Sequence, residues 1–476
     1  MRSTKTITTF SLLGVLLLLI ASPASWSQQD NGIESRINAL LGQMTLAEKL
    51  GQLQQLDGEA NGNFRPEHLE LARKGLLGST LNVRGAQRTN QLQRVAVEQS
   101  RLKIPLLLGF DVIHGYRTIF PISLGEAATW DPVSVERGAS VAAEEARAAG
   151  IHWTFAPMVD IARDPRWGRI SEGSGEDPYL GSAMARARVH GFQGDDYSRD
   201  NKVVACAKHW VAYGAAEAGR DYNTTDVSEF TLRSIYFPPF KAAVDAGVGT
   251  FMSSFNALNG VPASANPFTL TRVLREEWKF DGIVVSDYTA VEELIKHGIA
   301  ADGKEAAAQS LSAGVDMEMV SRNFNQNGAE LLQEKRLTQH SIDEAVRRIL
   351  RIKFRLGLFS NPYTNESLEG KVTLSATNIA AAREVAARSF VLLKNDNVLP
   401  LNKNLGSVAL LGPLADDKRN MIGSWSGDGR ADDAVSVLQG IKTKVPQLKV
   451  NYAKGCEVNC DQTSGFAEAV NAARAS

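Results

Sequence analysis

Several apolar segments of this chain end in side chains able to do chemistry: Asp111, Asp160, the pair Lys208 and His209, Asn256 and Asp287. Asp287 follows the unbroken β-branched run Ile283, Val284, Val285 in "GIVVSDYTAVEELIKHG", which reads as a strand covered on both faces of a parallel sheet. A carboxylate where strand becomes helix has two readings. It caps the following helix, or it faces a ligand, because parallel α/β folds bind at the C-terminal ends of their strands. Taken singly, each of these residues could be a cap or a satisfied core group. Five strand ends delivering polar groups to one rim are hard to explain as structure and favour a functional reading of Asp287. A metal-dependent reading through His114, His152 and His209 lacks a His-x-His pair, and no set of cysteines or histidines has zinc-site spacing.

A rim of this kind requires strands that alternate with helices. Short apolar runs fall at 76–83, 104–112, 152–160, 202–210, 247–256, 282–288 and 314–320, with helical stretches such as "DPVSVERGASVAAEEARAAG" and "PFTLTRVLREEWKF" between them. The alternation implies right-handed strand-helix-strand units, and seven or eight of them before residue 365 predict a TIM-like (β/α)8 barrel over 28–365. The polar stretch "NPYTNESLEGKVTLSATN" and the helix after it read as a linker and connecting helix, 366–387. From 388 to 476, "GSVALLGPLAD" and "KVNYAKGC" read as strands of a second α/β unit that ends within its next helix, "GFAEAVNAARAS". Two strands do not make a covered sheet, so this unit is expected to be an incomplete α/β sandwich domain.

The 476 residues exceed what one core holds, and the 43% apolar and 22% charged fractions are those of a globular protein. A net charge of −1 argues against a nucleic-acid partner. Residues 1–27 have a basic start at Arg2 and Lys5, an apolar stretch from Phe10 to Ile20 and small residues beyond, the pattern of a cleaved export signal. The apolar run is shorter than the roughly 20 residues of a spanning helix, so stable membrane association is not expected. No cysteine stands near the cleavage region for lipid anchoring, Cys206 reads as an inert core thiol, and Cys456 and Cys460 are close enough to bridge without the spacing deciding it.

Five ordered motifs then carry a resemblance: "GFDVIHGYRTIFPISLGEAATWDP", "APMVDIARDPRWGRISEGSGEDPYL", "AKHWVAYGAAEAGRDYN", "MSSFNALNGVPASANPFTLTRVLREEW" and "FDGIVVSDYTAVEEL". From about residue 35 onward the chain resembles glycoside hydrolase family 3, and most of all its periplasmic β-glucosidases. The resemblance implies a barrel followed by an α/β sandwich domain, with a β-glucoside or oligosaccharide substrate bound between them. It implies hydrolysis with retention of configuration, no metal or organic cofactor, and an exported chain, periplasmic or secreted. Carried over position by position, Asp287 matches the nucleophile and Asp111 the acceptor of sugar hydroxyls. Arg169, Lys208 and His209 match residues that grip the remaining hydroxyls. Asp221, Met252 and Tyr288 fall near further pocket positions.

Plainer readings stand beside these. His209 next to Trp210 reads as a core histidine in the alternative, and Arg169 as the partner of a structural carboxylate. Trp167 and Trp130 are read as core, and Glu172, Glu176, Glu292 and Glu293 as loop or solvated helix carboxylates. The loop "WVAYGAAEAGRDYN" has no histidine, which disfavours the family branch that cleaves N-acetylglucosamine with a histidine-aspartate dyad. In the β-glucosidase branch the acid/base glutamate lies in the second domain, beyond residue 476, so the resemblance assigns that role to no residue here. A sugar-binding protein without turnover is therefore the alternative expectation.

Overall fold

The computed structural model describes the backbone of residues 23–476 and the side chains from residue 32. The segment read as an export signal, residues 1–27, lies outside these apart from the backbone of its last five positions.

Eight parallel strands organise the N-terminal unit: β1 (Gln54–Asp57), β2 (Ser79–Leu81), β3 (Leu107–Phe110), β4 (Trp153–Thr154), β5 (Cys206–Trp210), β6 (Thr250–Ser253), β7 (Ile283–Ser286) and β8 (Glu318–Met319). They form a five-stranded sheet, ordered β8-β1-β2-β3-β4, and a three-stranded sheet, β5-β6-β7. Isolated parallel bridges join the two sheets, Trp153 to Val204 and Met158 to Lys208 beside β4 and β5, and Val285 to Met317 beside β7 and β8. The expected barrel is therefore seen as a parallel half-barrel and a second sheet joined to it by isolated bridges. Ile283, Val284 and Val285 are wholly buried, as their β-branched run requires. Strand β1 was not among the expected strands, because Gln54 and Gln55 break its apolar pattern. Both are buried and bonded, Gln54 Nε2 donating to the Leu76 carbonyl at 3.3 Å and Gln55 Nε2 to Ser79 Oγ on β2 at 2.7 Å, so the polar residues find partners within the fold.

Two helices show how local sequence starts an element. Pro132–Ala148 and Pro178–Gln193 each place an aspartate at the N-cap, Asp131 and Asp177, followed by proline in the first turn. The carboxylates accept from the backbone N–H of Val133 and Tyr179, and proline's missing N–H costs nothing there. The two helices pack against each other.

The second unit has two parallel strands, β9 (Ser407–Leu411) and β10 (Lys449–Ala453), with the helix Phe466–Arg474 beside them. Cys456 and Cys460 are joined as a disulfide, and Cys206 is buried with its thiol pushed up to about 12 by that burial. The unit is tied to the first by ion pairs Arg84 to Asp428 at 2.8 Å and Arg117 to Asp433 at 2.6 Å. His114 adds a bond across the boundary, its Nε2 lying 2.7 Å from the Ser424 carbonyl.

One buried charge-bearing group lies in the helix Gln339–Arg355. Lys353 is fully buried, its Nζ donates to Gln52 Oε1 at 2.6 Å, and burial lowers its pKa to about 7. The unfolded chain holds this proton up to about pH 10.4, so the cost of burial is fully present below about pH 7 and fades as pH rises towards 10.4. Lys353→Met should therefore raise stability by about 1–2 kcal/mol at pH 6, a gain reduced because Gln52 loses its donor. Thermal unfolding at pH 6 and pH 9 checks this, with the larger gain expected at pH 6.

Candidate active site

Asp111, Lys208 and Asp287 converge from their strand ends on one cavity, whereas Asn256 is buried and bonded to Ser254 and Thr225. Asp287 follows β7 and is 8% exposed; one carboxylate oxygen accepts from the Tyr288 backbone N–H at 2.7 Å, and Oδ2 has no hydrogen-bond donor. Asp111 follows β3, and its Oδ1 accepts from Lys208 Nζ, on β5, at 2.8 Å. Met252, on β6, and Tyr288 complete that side, and the Tyr288 hydroxyl donates to Asp57 at the end of β1 at 3.2 Å. From the loops come Arg169, at the start of the short turn Ile170–Glu172, and Asp221, which accepts from the indole N–H of Trp167 at 2.9 Å.

Asp111, Arg169, Lys208, Asp221, Met252, Asp287 and Tyr288 line one cavity of about 680 Å³. His209 stands behind this wall, fully buried: its Nδ1 lies 2.8 Å from Asp160 Oδ2, its Nε2 3.0 Å from an Arg169 nitrogen and 3.6 Å from Asp287 Oδ2. The second unit closes over the opening with Ser424, Trp425 and Ser426. The Trp425 ring centre is 5.6 Å from Lys208 Nζ and 5.8 Å from the Arg169 guanidinium, within cation–π range of both.

Sequence reasoning missed three contributors. Glu172 is not a loop carboxylate in water: it is 4% exposed, lines the cavity, and accepts from Arg169 Nε at 2.7 Å and Nη2 at 2.9 Å. Arg169 thus has the carboxylate partner of the structural reading and also lines the cavity. Asp160 was visible as a strand-end carboxylate, but only the fold shows that it touches His209. Trp425 gave no signal, since "GSWSGDG" has no pattern that places it over a distant strand end. Trp167 is core as expected, whereas Trp130 is 75% exposed at the head of the helix Pro132–Ala148, where its backbone adopts a positive φ before the N-cap.

Burial and charge set the electrostatics. Burial raises the Asp287 carboxyl to about 6, against the pull of Arg169 and Lys208, and raises Asp160 to about 7. Lys208 resists its own burial: Asp111 and Glu172 outweigh desolvation and raise it, while burial and the flanking cations push His209 well below the usual histidine range. Four carboxyls therefore line the cavity in unequal states. Asp111, Glu172 and Asp221 are bonded to Lys208, Arg169 and Trp167, and Asp287 Oδ2 is a buried oxygen without a donor. Glu172→Gln, which keeps the shape and removes the charge, should loosen Arg169 and weaken binding of a glucose-like inhibitor roughly tenfold, about 1.4 kcal/mol, by calorimetric titration.

The three histidines of the metal reading do not gather. His114 is held between the Phe120 and Ser424 carbonyls and His209 between Asp160 and Arg169, and no group of three metal-ligating side chains occurs among the described residues.

The glycosyl hydrolase family 3 N-terminal domain matches residues 45–352, across all the strand ends above. The chain belongs to glycosyl hydrolase family 3. Residues 390–476 match the family's C-terminal domain. A periplasmic β-glucosidase of Salmonella typhimurium is 43% identical over 433 residues, covering 90% of this chain and 56% of the relative. A β-xylosidase of Formosa agariphila is 35% identical, covering 94% of this chain and 60% of the relative. Among solved structures, the β-glucosidase of Listeria innocua in complex with isofagomine superposes with a TM-score of 0.85 at 38% identity, covering 92% of this chain and 62% of its own. The same enzyme in complex with glucose gives 0.86 at 37% identity. The chain thus spans about 56–62% of the length of these family 3 relatives.

Proposed function

We propose that this family 3 chain carries the sugar-recognising, nucleophile-bearing site of a retaining glycosidase acting on terminal β-D-glucosyl residues. The observation that carries this is the Asp287 oxygen without a donor, set in a wall of engaged cations and carboxylates at a parallel-strand rim. In that reading the Asp287 carboxylate attacks the anomeric carbon as positive charge develops on the sugar ring, and water later opens the glycosyl-enzyme. Asp111, Lys208 and the unbonded arm of Arg169 grip the hydroxyls, with Asp221, Met252 and Tyr288 around them. His209 supports Arg169 from behind.

The proposal also includes the layout: export by residues 1–27 to the periplasm, a catalytic unit at 28–365, a linker and helix at 366–387 and the second unit at 388–476. Support for export comes from the basic and apolar pattern of the N-terminus and from the periplasmic relative. Among the described residues no helix is long and apolar enough to cross a membrane. Binding without turnover is disfavoured by the family relatives, which are named as a β-glucosidase and a β-xylosidase.

In this reading Asp111, Glu172 and Asp221 serve as partners of Lys208, Arg169 and Trp167 and not as the acid for a leaving oxygen, whereas a nitrophenolate leaves as a stable anion and needs no acid. Stopped-flow mixing with nitrophenyl β-glucoside should therefore give a burst of nitrophenolate followed by a slower phase, while cellobiose is cleaved poorly by the same sample. Efficient cellobiose turnover without a burst would place a working acid among these residues. Absence of any nitrophenolate release would contradict the glycosidase reading.

A further inference from the structure

Two hydrogen-bond geometries around His209 fix where its proton sits. Arg169 can only donate, so the His209 Nε2 that lies 3.0 Å from its nitrogen must be an acceptor and carry no proton. The single ring proton then sits on Nδ1 and points at Asp160 Oδ2, 2.8 Å away, an oxygen that also accepts the His209 backbone N–H at 2.8 Å. Asp160 and His209 are both buried, so no solvent competes for either bond. The next atom beyond Nε2 is Asp287 Oδ2 at 3.6 Å, and two proton-free atoms facing each other form no hydrogen bond.

We propose that Asp160 is a positioning residue that locks His209 in the Nδ1–H tautomer, so that Nε2 holds Arg169 and cannot donate to Asp287. The lock deepens the reading of Asp287 as nucleophile and rests on it for its purpose. A donor on Nε2 would bond to Asp287 Oδ2, lower its reactivity, and expel the Arg169 nitrogen that now occupies the same lone pair. The charged groups facing the imidazole are Asp160 on one side, Arg169 and Asp287 on the other, and neighbouring Lys208. Since both cations disfavour a second ring proton, the neutral ring has only the choice between tautomers, and Asp160 makes it.

The proposal separates two substitutions. In Asp160→Asn the amide oxygen can take the place of Oδ2 and accept both His209 donors, so the lock should persist. In Asp160→Val no acceptor remains, and the Nε2–H form becomes available. Nitrogen-15 NMR of histidine-labelled protein reads this without any turnover, with His209→Asn identifying the signal. Wild type and Asp160→Asn should show a protonated Nδ1 and an unprotonated Nε2 from about pH 5 to 8. Asp160→Val should show Nε2–H and a lower apparent pKa for Asp287, because the carboxylate gains a donor. A wild-type signal from the Nε2–H tautomer or from imidazolium would overturn the proposal even if Asp160→Val failed to fold. So would an unchanged tautomer in a folded Asp160→Val. Neither result touches the glycosidase reading, which stands or falls on nitrophenolate release.

Discussion

Asp287→Ala should reduce nitrophenyl β-glucoside cleavage by about a thousandfold or more, equivalent to over 4 kcal/mol of transition-state stabilisation, while the fold persists. The substitution removes a buried carboxyl whose pKa has been raised to about 6. Because its unfolded value is near 3.9, the carboxyl weakens the fold as pH rises through the interval from about 4 to 6, and the full penalty is present above 6. The variant should accordingly unfold at the same temperature as the wild type or a higher one at pH 7, and activity loss through misfolding is not expected. If Asp287 is the nucleophile as proposed, the same value sets the acid limb of activity, since only the carboxylate form attacks. kcat/KM should fall as pH drops through about 6, with a limb that is lost together with Asp287. Retention of more than a tenth of the wild-type rate would remove Asp287 from the chemistry.

Asp111→Ala should act on binding and stability together. It removes the hydrogen-bond acceptor of Lys208 Nζ, whose side chain is 3% exposed, and leaves a buried ammonium unpaired. Breaking a buried pair from one side costs about 3 kcal/mol of stability. Affinity for glucose should fall by about 2 kcal/mol, near thirtyfold, because buried sugar hydroxyls lose a charged acceptor. Asp111→Asn should lose less of both, since an oxygen stays within reach of Lys208. Calorimetric titration of a folded Asp111→Ala with glucose decides the point, and unchanged affinity would place Asp111 outside the sugar site.

What could be read from the chain before its fold follows from the range of each interaction. Strand β7 and its aspartate were legible because β-branched runs and a polar terminus are local signals. Strand β1 was not, because Gln55 is satisfied by Ser79, a residue 24 positions away. The same holds at the site. Asp111, Lys208 and Asp287 announce themselves at strand ends, whereas Glu172 looks like any loop glutamate until Arg169 is seen folded back on it. Trp425 is further removed still: its place over Lys208 depends on ties such as Arg84 to Asp428, 344 positions apart. The Cys456 to Cys460 bridge was left open by spacing and is present. Residue types thus indicated which groups could do chemistry, and the non-local contacts decided which of them remain free to do it.

The covalent role proposed for Asp287 has a direct test. A 2-deoxy-2-fluoro-β-glucoside with a dinitrophenolate leaving group needs no acid to depart, and the fluorine slows release of the glycosyl-enzyme, so the intermediate accumulates. Intact mass spectrometry of the treated chain should show the addition of one fluoroglucosyl group, and peptide mapping should place it on Asp287, with no addition in Asp287→Ala. A label on any other carboxylate, or an unlabelled chain that still releases the dinitrophenolate through Asp287, would contradict a retaining mechanism centred on this residue.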